Sequence, residues 1–169
     1  MNTGDILVCK RQSWLSKLIK KATRSDWSHT ATVVEIWDQV YVIEMQSKGV
    51  ELISFDEWIE KWGYEFLLFR NPANFDQKEF AKKALSVVGK KTKYDYFTFM
   101  FRIPYKLVTK KYKYRGEEIE TKRMICSQLT AWLHDLEGWH KSTPATQYEF
   151  LNNNWIKHTV ERWNLDLKI

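Results

Sequence analysis

The sequence predicts an α+β fold, an antiparallel β-sheet or barrel of about five to six strands packed against helices. β-Branched runs recur between residues 29 and 53, and the connections between them are too short for crossovers, so neighbouring strands run antiparallel. Elsewhere apolar residues fall at three- and four-residue spacing, which sets helices beside that meander. The length of 169 residues suits a single domain spanning 1–169. With 44% apolar and 28% charged residues, the chain has the composition of a folded globule rather than a disordered one.

Taken in order, Gly4 to Lys10 reads as the first strand. Ser13 then caps a helix to about Ala22, with Trp14, Leu15, Leu18, Ile19 and Ala22 on one face. Lys17, Lys20, Lys21 and Arg24 occupy the other face, as on a solvated basic helix or one lying on a membrane surface. The β-branched run after His29 is a strand, Asp38-Gln39 a tight turn, and Val40 to Gln46 the returning strand. A third strand follows the Ser47-Lys48-Gly49 turn, near Val50 to Ile53. Ser54 caps a short helix from Phe55 to Lys61, and Tyr64 to Arg70 is a further strand ended by Asn71-Pro72. Asp76 to Val88 forms a helix with Phe80, Ala81, Ala84, Leu85 and Val88 inward, and Gly89 suits its C-cap.

Lys90 to Arg115 carries nine Lys or Arg against one acid, Asp95, with tyrosines and phenylalanines interleaved. Such a segment can neutralise phosphates and stack bases, or line a cleft for an acidic substrate; equally, its rings can pack while its charges face water. A short helix is expected at about Tyr96 to Phe101, and a turn at Gly116-Glu117-Glu118. Gly138 stops the next helix, Thr143-Pro144 opens another, and the last strand runs from Trp155 to about Trp163.

The net charge of +6 makes an anionic partner plausible: a nucleic acid, an anionic membrane surface or a cell-wall polymer. No apolar run approaches the ~18 residues that span a bilayer. The start of the chain lacks a basic region followed by a long apolar core, so the expected location is cytoplasmic, with reduced thiols. Two cysteines, Cys9 and Cys126, and four histidines show no zinc-site spacing, so no metal and no cofactor are expected. Cys9, on the first strand, reads as a small buried hydrophobe.

The chemistry concentrates in Arg123-Met124-Ile125-Cys126-Ser127-Gln128-Leu129. Leu129, Leu133 and Leu136 follow Cys126 with helical spacing, which puts the cysteine in the first turn of an amphipathic helix. Backbone N–H groups and the positive end of the helix dipole there favour thiolate, the attacking form. They also suit an oxyanion. A thiol nucleophile needs a base, and the base a third group to orient it. His29, entering one strand, and Glu44, within Val42-Ile43-Glu44-Met45 on the next, complete such a set if the strand register puts them on one face.

Six short blocks then resemble, in order, the circularly permuted NlpC/P60 group of papain-like cysteine peptidases and amidases, in the branch containing the YiiX-like proteins. They are Gly4-Asp5-Ile6-Leu7, Ser28-His29-Thr30-Ala31, Val42-Ile43-Glu44-Met45, Tyr94-Asp95-Tyr96, Ile125-Cys126-Ser127-Gln128-Leu129 and Thr143-Pro144. The resemblance implies a permuted papain-like fold with Cys126 as nucleophile, His29 as general base and Glu44 as the orienting residue. It adds Tyr94 near the thiol as an oxyanion or substrate contact, and Ser127 beside the nucleophile joins Tyr94 in that role. The implied activity is hydrolysis of a peptide or peptidoglycan-type amide, or of an ester, through an acyl-enzyme. Two further readings stay open: thiol-dependent lipid acyl transfer or hydrolysis, and a binder of nucleic acid or an acidic partner without catalysis.

Overall fold

The computed structural model describes residues 1–63, 66–70, 76–89, 92–96, 123–136, 144–154 and 156–158. Its centre is a six-stranded antiparallel sheet. The strands are β1 (Ile6–Cys9), β2 (His29–Ile36), β3 (Gln39–Gln46), β4 (Gly49–Ser54), β5 (Phe66–Arg70) and β8 (Ile156–His158), in the order β4-β3-β2-β1-β5-β8. All four residues of β1 are buried, as expected of a central strand covered on both faces. A second, two-stranded parallel sheet pairs β6 (Lys93–Tyr94) with β7 (Arg123–Met124).

Alternation along the strands sorts side chains between the two faces. Leu7, Ala31, Val33 and Val42 pack against Trp58 and Ile59 of α2 (Phe55–Trp62) on one face. Val34, Ile43 and Met45 pack on the other, against Phe80 and Ala84 of α3 (Gln77–Leu85) and Ile125, Leu129 and Leu133 of α4 (Cys126–Leu133) and its cap. Leu151 of α5 (Pro144–Asn154) joins Ile6, Val8 and Phe69 in a third cluster.

Local chemistry explains the helix starts. Ser13 Oγ accepts the Ser16 N–H at the head of α1 (Trp14–Thr23), Ser54 Oγ accepts the Glu57 N–H, and Asp76 Oδ1 accepts from Lys78 and Glu79. The β3–β4 turn needs glycine: Gly49 has φ +130°, and a Cβ there would lie 3.0 Å from the Thr92 carbonyl oxygen.

Four expectations need correction. The first hairpin turns at Trp37-Asp38, both with positive φ, rather than at Asp38-Gln39. Two such residues make the mirror-image turn whose twist matches the flanking strands, so pairing reaches Ile36↔Gln39. Trp14 and Leu18 are 70% and 43% exposed, so α1 turns only part of its apolar stripe inward, led by buried Ile19. α3 ends at Leu85, which is exposed, and buried Val87 in the following turn does the packing assigned to it. α4 ends at Leu133, short of Leu136, after which Asp135 takes a positive φ. The expected helix beyond Tyr96, the turn at Gly116-Glu117-Glu118, the stop at Gly138 and the strand past His158 lie outside the described residues. So does most of the basic aromatic segment. Among the described residues, no helix is long and apolar enough to cross a membrane.

Candidate active site

Cys126 is the first residue of α4. The helix start is closed by Gln128, whose Oε1 accepts the Ile125 N–H at 3.0 Å, and the first intrahelical bonds run from the Gln128 and Leu129 N–H groups to the Ile125 carbonyl. One turn further, the Thr130 hydroxyl meets that of Thr30 at 3.3 Å. This contact ties α4 to the start of β2 and brings Cys126 to the neighbouring His29. The thiol is hydrogen-bonded to the His29 side chain and to the Thr30 backbone.

The β2–β3 register settles the second half of the constellation. Val33 pairs with Val42, so His29 and Glu44, each an even number of residues away, share the face of the sheet that α2 covers. His29 Nε2 lies 2.8 Å from Glu44 Oε2. A carboxylate only accepts, so Nε2 carries a proton and Nδ1 is the ring nitrogen left for the thiol.

Glu44 is completely buried and held by four side chains. Besides His29, Oε2 accepts from Arg11 Nη2 at 2.5 Å and from Trp58 Nε1 at 3.0 Å, while Oε1 accepts from Gln46 Nε2. A buried carboxylate is tolerable only when so fully paired. Gln46 follows Glu44 by two, the spacing that keeps strand residues on one face. Arg11 and Trp58 carry no such signal, because they lie 33 and 14 residues from Glu44 in the chain.

The charges reinforce one another. Burial opposes ionisation of Glu44, yet His29, Arg11 and Trp58 outweigh it and hold the carboxyl well below the usual carboxylate range. Burial and Arg11 press the His29 ring toward neutrality, but the Cys126 thiolate, its hydrogen bond and the bond to Glu44 raise the imidazole above its ordinary value. Burial likewise opposes the Cys126 thiolate. The imidazolium, its hydrogen bond, the Thr30 backbone and Arg11 prevail, and the thiol is held below its ordinary value. The arrangement therefore favours a thiolate–imidazolium pair.

Tyr94 is buried and pairs with Met124, which precedes Cys126 by two residues. Burial, then the Cys126 charge, push its phenol up, so it stays protonated and able to donate. Ser127 is buried in the first turn of α4. Cys9 is buried too, and burial pushes its thiol far up, so it behaves as a small apolar residue. A pocket of about 220 Å³ opens at the His29 side of this centre, and Cys126 itself does not line it. Its lining includes His29, Arg11, Tyr94 and Tyr96, and Trp14, Leu15 and Ile19 of α1.

An antiparallel sheet with a cysteine-headed helix docked at the start of one strand defines the class: an α+β fold with a buried Cys-His-Glu array. No protein-family model and no curated protein matches the chain. Among solved structures it is similar to the metalloprotein yiiX from Escherichia coli O157:H7, with a TM-score of 0.60 and 22% identity over 88% of this chain and 79% of that one. At that identity the likeness concerns the fold, which is YiiX-like.

Proposed function

We propose that this chain is a single-domain thiol hydrolase of the permuted NlpC/P60, papain-like type, cleaving an amide or ester through an acyl-enzyme. The observation that carries the reading is the continuous array from the Cys126 thiol through the His29 ring to the Glu44 carboxylate. In this reading the Cys126 thiolate attacks the substrate carbonyl carbon, forming the C–S bond. The His29 imidazolium passes its proton to the leaving amine or alcohol as the bond to it breaks. Water, losing a proton to His29, then attacks the thioester carbonyl; the C–S bond breaks, the acid is released and the thiolate–imidazolium pair is restored. Glu44 stays ionised throughout and holds the ring. The protonated Tyr94 phenol and the helix start at Cys126-Ser127 are the donors proposed for the oxyanion. Substrate enters by the pocket that His29 and Tyr94 line.

The yiiX neighbour is described as a metalloprotein. The donor set here does not fit a metal. Both Glu44 oxygens are engaged by N–H donors, a guanidinium lies beside them, and among the described residues no group of three His, Cys, Asp or Glu converges as ligands would.

The test is turnover of a panel of peptide amides and activated esters, with the acyl-enzyme trapped at low pH and located by mass spectrometry. The expected result is an adduct on Cys126 and none on Cys9, no turnover by Cys126→Ala, and a loss of about 10²–10⁴-fold in His29→Ala. Turnover that survives Cys126→Ala would remove the proposal.

A further inference from the structure

Arg11 lies two residues beyond β1, on the way to α1. A surface arginine would leave its guanidinium in water, yet this residue is only 8% exposed. Its backbone N–H donates to Ser28 Oγ at 3.0 Å, which fixes the chain beside His29. Its guanidinium lies over the Trp62 ring, 3.6 Å from the centroid. Its Nη2 bonds the same Glu44 oxygen that His29 Nε2 uses. The planar fork of arginine suits this double duty, flat against a ring and edge-on to a carboxylate.

We propose that Arg11 is a positioning residue of this site: it clamps the Glu44 oxygen that orients His29, and its charge sets the pH range over which the Cys126–His29 ion pair exists. This rests on the hydrolase reading. The titratable groups around the guanidinium are Glu44 from β3, His29 from β2, Cys9 from β1, Cys126 from α4 and Tyr94 from β6. A cation there opposes protonation of His29 and favours ionisation of Cys126, so it lowers both limits of the window. Without it, burial would carry the thiol back up, and the pair would form only at higher pH. Arg11 thus works against Glu44 at the imidazole and with His29 at the thiol.

The experiment is a pH titration of ultraviolet thiolate absorbance, taken as the difference between each protein and its Cys126→Ala counterpart. Arg11→Gln is expected to move the thiolate limb to higher pH and cut the thiolate fraction roughly fivefold at the wild-type midpoint, the effect of losing one nearby opposite charge. Arg11→Lys, which keeps the charge, is expected to keep the limb where it is. Coincident wild-type and Arg11→Gln curves would overturn the role of Arg11 while leaving the hydrolase reading intact. A wild-type thiolate limb in the range of a free thiol would instead sink the hydrolase reading. Should Arg11→Gln not fold, Arg11→Lys carries the test alone: a limb displaced to higher pH despite the retained charge would refute the proposal.

Discussion

The two ends of α4 each place a histidine in packed surroundings, and the two rings respond in opposite directions. At the N-terminal end His29 is raised above its ordinary value. At the C-terminal end His134 is pressed down to about 3, first by burial and then by the Lys83 charge. A helix C-terminus by itself would favour the protonated ring, so the dipole is not what decides. Burial pushes both rings toward neutrality. What differs is the company: a thiol and a carboxylate beside His29, against an ammonium and the Phe80 ring, 4.8 Å away, beside His134. One fold thus makes one imidazole ready to carry a proton and leaves the other as packing.

The comparison can be broken most strongly at Glu44. Glu44→Ala leaves the Arg11 cation buried without its partner and removes the bond that raises His29. Losing one member of a buried, hydrogen-bonded pair is expected to cost about 3–5 kcal/mol, read as a lower urea midpoint. A change of less than about 1 kcal/mol would mean that the carboxylate is not holding this end of the sheet together.

A smaller effect is expected at the other end. His134 is depressed from 6.5 to about 3, so the unfolded chain takes up its proton first. The resulting stability is fully present above about pH 6.5 and is lost as pH falls toward about 3. Lys83→Met removes the charge but not the burial. It should raise His134 while leaving it below its ordinary value, and so shrink the stability lost over that interval. Urea unfolding at a series of pH values measures this, and an unchanged pH slope would show that Lys83 does not act on the ring. The Lys83–Asp135 contact at 2.6 Å is also lost in this variant, but with Asp135 85% exposed it contributes little.

The sequence made some parts of this legible and hid others for physical reasons. The meander could be read because its turns are two residues long and its strands follow one another, so neighbours in sequence are neighbours in space. Cys126 could be read because apolar spacing places a helix start from local information alone. His29 and Glu44 were legible as residue types, but their common face depended on a register the sequence does not fix; the turn, one residue earlier than expected, moves each pairing by two and leaves that face unchanged. Arg11 and Trp58 reach Glu44 only through tertiary packing, which no local pattern encodes. The outward turn of Trp14 and Leu18 was hidden for the same reason: periodicity shows that α1 has an apolar stripe, not how much of it the sheet has room to cover.

The central claim is that Cys126 and His29 share a proton as one unit. An NMR pH titration of the His29 ring, in the wild-type chain and in Cys126→Ala, tests it most directly. With the thiolate charge and its hydrogen bond gone, while burial and Arg11 remain, the His29 titration should move to distinctly lower pH. A His29 curve that stays in place when the sulfur is removed would contradict the account.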